Sequence, residues 1–247
     1  PILIMFPGGN VHGSYYSKLA AGLASSGYVV YVPYRCTIFF FQYFLAPDIN
    51  LPSYVLTDAK TQNSSNANLL SRIDTASIGL LGHSLGGVIG LFKMNDICDF
   101  PFCTSSTATV SEIKAGYFYG SGLGTSYSSS RYKTTNGSGI PTMYVQGSLD
   151  SAFTPTEASN NFKNVISPSY LYTLDGANHY GVTDIYSPLL ANAEKNSATL
   201  SQESGIQSIS KLGVLFMDAY LKSNSTSLSN IQSGSTGVSN MTLTSSK

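Results

Sequence analysis

The chain has no tryptophan, and only 11% of its 247 residues are charged, against about a quarter in an average globular protein. Its 13 basic and 13 acidic residues cancel. A surface this neutral has no basic footprint for nucleic acid and no polybasic segment to hold anionic lipid. No uncharged apolar run approaches the roughly 18 residues that a membrane-spanning helix requires. No signal-peptide pattern is visible either. The chain opens at Pro1 and runs straight into ILIMF, an apolar run of strand length.

Cysteine is scarce: Cys36, Cys98 and Cys103. Cys98 and Cys103 flank the short segment DFPF, which could close as a disulfide; two free buried thiols are the alternative. Sequons stand at Asn63, Asn136, Asn224 and Asn240. In a chain rich in Asn and Ser some would arise by chance. With the low charge and the cysteine pair, they favour a secreted, extracellular-facing protein.

What is present is a 42% apolar chain of a length suited to one domain with a substantial core. Strand signals alternate with helix signals, the pattern of a parallel sheet with crossover helices. Strands are expected at 2–6, 28–32, 77–82, 115–120, 141–146 and 169–174. Helices are expected at 14–25, 52–62, 85–95, 156–166 and 203–222. In the last of these, Ile206, Ile209, Leu212, Phe216 and Tyr220 recur at spacings of three and four. Residues 1–222 read as one α/β domain. Residues 223–247 read as a Ser/Thr/Asn-rich tail, serving as a linker, a disordered or glycosylated end, or an irregular cover.

Residues 82–86 read Gly-His-Ser-Leu-Gly, a G-x-S-x-G motif extended by Gly87, with an apolar strand before it and a helix after it. In that context Ser84 sits on a strained strand-to-helix turn with its Oγ clear of the sheet. The helix N-terminus behind it favours developing negative charge. A serine nucleophile needs a base from a late loop over the carboxyl ends of the strands. Of the three histidines, His83 is the neighbour of Ser84 and His12 follows the first strand; His179, in GANHYG, fits. The acid that orients the imidazole should lie between them, just past a strand. Asp150, in PTMYVQGSLD, does so; Asp175 and Asp184 are the competitors. Two N–H donors must face the oxyanion. Leu85 supplies one, and the loop Pro7-Gly8-Gly9-Asn10 the other, through Gly9 or Asn10.

These landmarks together resemble the α/β-hydrolase superfamily. The segments are PGGNVHGSYYSKLAAGLASSGYVVYVPYR, RIDTASIGLLGHSLGG, PTMYVQGSLD and GANHYGVTD, in that order. YYSKLAAGLASSGY is similar to chlorophyllases, platelet-activating-factor acetylhydrolases and cutinase-like polyester hydrolases. The resemblance spans roughly residues 1–222. It implies a three-layer α/β-hydrolase fold, a mostly parallel central sheet flanked by helices, with its first strands before Pro1. It also implies hydrolysis of a carboxylic ester through an acyl-enzyme, with no metal and no organic cofactor. Where polyester-degrading relatives carry an aromatic residue in the oxyanion loop, this chain has Gly9.

The expected partner is a small-molecule or lipid ester. The aromatic run IFFFQYFL at 38–45 follows the second strand and either borders the site or packs into the core. The Ser/Gly-rich stretch 121–139, with Tyr127, is either a lid or a surface loop. A chlorophyllase-like hydrolase of a phytyl ester is the alternative activity. A non-catalytic binding module on the same fold is the rival class; an intact set of Ser84, Asp150 and His179 speaks against it.

Overall fold

Ile2–Phe6 (β1) is buried at every position, which an unbroken apolar run requires of a strand covered on both faces. In the computed structural model this strand pairs in parallel with Val29–Tyr31 (β2) on one side and Ile78–His83 (β5) on the other. The structure describes residues 1–33, 36–39, 42–98, 103, 109–123, 138–186, 188–189, 191 and 193–247. The side chains of 36–39, 42 and 43 lie outside that description.

Beyond β5 the sheet continues through Ile113–Tyr119 (β6), Thr142–Gly147 (β7) and Ser169–Leu174 (β8), all parallel. It ends on Met241–Ser246 (β9), antiparallel to β8. The order is β2-β1-β5-β6-β7-β8-β9. Helices cover both faces, so the fold is α/β with a mostly parallel seven-stranded sheet. Alternation along β1 divides the core in two. Leu3 and Met5 pack towards Ser17–Ala24 (α1) and Gln202–Leu221 (α5), through Leu19, Leu23, Ile206, Ile209, Leu212 and Phe216. Ile2, Ile4 and Phe6 pack towards Leu51–Ser65 (α2), Leu85–Met94 (α3) and Pro155–Phe162 (α4).

The expected elements are present with shifted ends. The helix expected from residue 14 begins as a 3-10 turn, Gly13–Tyr16, before α1. The helix expected to reach 166 stops at Phe162, and its start is fixed by a capping box between Thr154 and Glu157. The aromatic run belongs to an antiparallel hairpin, Cys36–Phe39 (β3) with Gln42–Leu45 (β4), separate from the main sheet. Residues 40–41, between these two strands, lie outside the described residues, as do 124–137 of the Ser/Gly-rich stretch.

Residues 223–247 hold regular structure rather than an irregular cover. Asn224 caps Ser225–Ser233 (α6) by accepting the Ser227 N–H, and Gly234 ends it at φ 74. Ile231 of α6 is fully buried against the α5 face. In β9, Met241 and Leu243 face the core while Thr242 and Thr244 face out. Cys98 and Cys103 are joined as a disulfide, with Cα atoms 5.0 Å apart. No helix among the described residues is long and apolar enough to cross a membrane.

Candidate functional site

The strand order reverses at β1: the chain passes to β2 on one side and returns to β5 on the other. Such a switch point opens a crevice at the carboxyl ends of the two strands. The loops after β1 and β5 both end there, bringing Gly8-Gly9 and Ser84 together from 75 or more residues apart in sequence.

Ser84 stands at φ 53, ψ −125, between β5 and α3. An L-residue held in that region costs on the order of 1–3 kcal/mol, so the surroundings must impose it. They do. A Cβ on Gly86 would lie 2.1 Å from the Phe6 carbonyl oxygen, and one on Gly82 would lie 2.6 Å from Gly87 Cα. These glycines let β5, α3 and the end of β1 close around the turn. The Ser84 N–H donates to the Tyr119 carbonyl at 3.1 Å, and its own carbonyl accepts from Ser121 Oγ at 2.8 Å. The backbone is thus tied down while the side chain stays half-buried.

His179 and Asp150 are each 2% exposed. The His179 Nδ1–H donates to Asp150 Oδ2 at 2.8 Å. The other carboxylate oxygen, Oδ1, accepts the N–H groups of Ala152 at 2.9 Å and Phe153 at 2.8 Å. That bonding fixes the tautomer, leaving Nε2 as the basic nitrogen. Gly120, at φ +55, lies beside the pair: a Cβ there would be 2.9 Å from Asp150 Oδ2 and 3.0 Å from His179 Nδ1. No hydrogen bond joins the Ser84 hydroxyl to the His179 ring. The ring of His83, next to Ser84, lies 4.8 Å from that of His179. The competing acids are engaged elsewhere. Exposed Asp175 accepts from Ser148 Oγ, and Asp184 accepts the Ser17 and Lys18 N–H groups at the start of α1.

Beneath the site runs a buried chain of bonds. The Gly8 N–H donates to the Tyr16 hydroxyl, which donates to His83 Nδ1, each at 2.8 Å. His83 Nε2–H donates to the His179 carbonyl at 2.9 Å. The carbonyl can only accept, so this tautomer is the one that fits. Burial, then the neighbouring His179, holds the His83 imidazole well below the ordinary histidine value and neutral. His83 therefore ties the loop after β1 to the loop carrying His179. The third histidine, His12, accepts from Ser14 at the 3-10 turn.

The two candidate donors of the glycine loop part company. The Asn10 N–H donates to the Leu45 carbonyl at 2.8 Å, and Asn10 Oδ1 accepts the Leu45 N–H at 3.1 Å. Asn10 thus holds the β3–β4 hairpin and is removed from the expected donor pair. Gly9 abuts the elbow: a Cβ on it would lie 3.2 Å from both Leu85 Cδ2 and Phe44 Cζ. No acceptor among the described residues takes the Gly9 or Leu85 N–H.

Of the sequon asparagines, Asn63 accepts the Ile73 N–H within the fold. Asn224 caps α6, and Asn240 is exposed at φ 59. Asn136 lies outside the described residues. Sequence reasoning missed Tyr16, Gly120 and Glu194. A buried tyrosine, a glycine in a strand-end turn and a loop glutamate have no local signature, because their partners are distant in sequence. The chain matches no protein-family model and no curated protein sequence.

Proposed function

We propose that this chain is a serine hydrolase that cleaves carboxylic esters through an acyl-enzyme on Ser84. The observation that carries the reading is the forced backbone of Ser84 beside a buried, tautomer-fixed His179–Asp150 pair. His179 Nε2 takes the Ser84 proton as Oγ attacks the ester carbonyl. The oxyanion meets the unspent N–H groups of Gly9 and Leu85 at the start of α3. The imidazolium, supported by Asp150, then protonates the leaving alcohol. Water repeats the cycle with His179 as base and releases the acid. A nucleophile and base that hydrogen-bond only once substrate closes them together are common in unliganded enzymes.

The sheet order supports reading the fold as the α/β-hydrolase type: parallel strands with the elbow after β5, the acid after β7 and the base after β8. Phe44 and Leu85 flank Gly9, and apolar neighbours at the oxyanion loop are in keeping with a small-molecule or lipid ester as substrate. The Cys98–Cys103 bond suits an oxidising, extracellular compartment.

The test is hydrolysis of p-nitrophenyl esters from acetate to palmitate by the intact chain and by Ser84→Ala. Turnover lost in the variant supports the reading, and the preferred acyl length separates a small-ester esterase from a lipase. An intact chain inert to the whole series would instead favour a binding module.

A further inference from the structure

Glu194 lies in the segment between β8 and α5, and its carboxylate gathers donors from three places. Oε2 accepts the His179 N–H at 2.7 Å and the Ser151 N–H at 3.2 Å. Oε1 accepts the Ser151 hydroxyl and the N–H groups of Lys195 at 2.7 Å and Asn196 at 2.6 Å. Two of these segments carry the acid and the base, since Ser151 follows Asp150. The group is half-buried, and no side chain other than a carboxylate accepts at both ends without offering a proton. We propose that Glu194 is a positioning residue that fastens the loop bearing His179 to the loop bearing Asp150 and so sets the distance between imidazole and acid.

An amide at this position turns an N–H₂ towards one group of N–H donors and cannot replace the clamp. Ionisation is consistent with the geometry. Burial raises the Glu194 pKa, but hydrogen bonds from Ser151, Asn196 and His179 outweigh it, leaving the carboxyl below its ordinary 4.5. A group lowered in the fold contributes above its ordinary value and is lost as pH falls through the folded one. The clamp therefore persists through neutral and mildly acidic solution. The titratable groups around it are Lys195 on its own loop, Asp150 beside Ser151, the His179 ring, the Tyr119 hydroxyl and, behind them, His83.

The kinetic consequence rests on the esterase reading, and the structural one does not, so the experiment has two arms. In the first, Glu194→Gln is assayed on p-nitrophenyl butyrate beside the intact chain. The expected result is a kcat about tenfold lower with KM changed less than about twofold, because orientation and not binding is lost. Labelling of Ser84 by a fluorophosphonate should slow in step. A variant that loses thermal stability yet keeps full kcat overturns the proposal. In the second arm, the His179 amide of the intact, ¹⁵N-labelled chain is followed by NMR during acid titration. It should shift strongly with a midpoint below 4.5, as its acceptor is protonated. An amide that stays fixed through this range overturns the proposal whether or not the variant folds. If the intact chain neither turns over esters nor labels at Ser84, the esterase reading fails alone, and the amide titration decides the clamp.

Discussion

Replacing Gly120 with alanine wedges a methyl group against the acid–base pair without altering either member. The added carbon would lie 2.9 Å from Asp150 Oδ2 and 3.0 Å from His179 Nδ1, the two atoms that share the 2.8 Å bond. Ordinary contacts of this kind are about 3.5 Å or longer, so each group must retreat by roughly half an ångström. Neither retreats freely. Asp150 is held at Oδ1 by the Ala152 and Phe153 N–H groups. His179 is held at its N–H by Glu194 and at its carbonyl by His83. The bond between them must open. Misplacement of a catalytic group by part of an ångström costs about 10- to 100-fold in kcat, or about 1–3 kcal/mol. The positive φ of residue 120 adds about 1–2 kcal/mol of folding cost. Gly237→Ala separates the two effects: it has φ +64 but nothing within 4 Å of its added carbon. The assay is kcat and KM on p-nitrophenyl butyrate, well below the melting temperature, with thermal denaturation of both variants. Both should lose stability, and only Gly120→Ala should lose kcat. A folded Gly120→Ala with the intact chain's kcat would refute the reasoning, since the pair would then tolerate the wedge.

Two further outcomes follow from buried groups. Neutral His83 is held well below its ordinary 6.5, so the unfolded chain binds the extra proton as pH falls. Its contribution is complete above about 6.5 and is lost below that at up to about 1.4 kcal/mol per pH unit. Urea denaturation between pH 7 and 5 should show this slope, and His83→Gln, which keeps a donor for the His179 carbonyl, should flatten it. Ile231→Ala, at a side chain with no exposure, should cost about 2–4 kcal/mol in the same assay. A change under about 1 kcal/mol would mean that α6 adds little to the core.

The parallel sheet and most of its helices were legible because burial on both faces leaves unbroken apolar runs. ILIMF and SYLYTL are strands at the expected residues. The turn at Ser84 and the meeting of His179 with Asp150 were legible because each residue follows such a run within a few positions. The end of the chain was not. An edge strand needs apolar side chains on one face only, so Met241 and Leu243 alternate with threonines in a segment whose composition suggests disorder. The choice between Gly9 and Asn10 turned on a bond from Asn10 to Leu45, 35 residues away, which no local pattern encodes. The fastening of His179 by His83 and Glu194 is equally non-local, at separations of 96 and 15 residues.

The most direct test of the central claim is covalent. The intact chain is treated with a fluorophosphonate, digested, and its peptides are read by mass spectrometry. One adduct is expected, on Ser84, formed slowly or not at all in His179→Ala and absent in Ser84→Ala. An unlabelled Ser84 in the folded chain, or equal labelling with His179 removed, would contradict it.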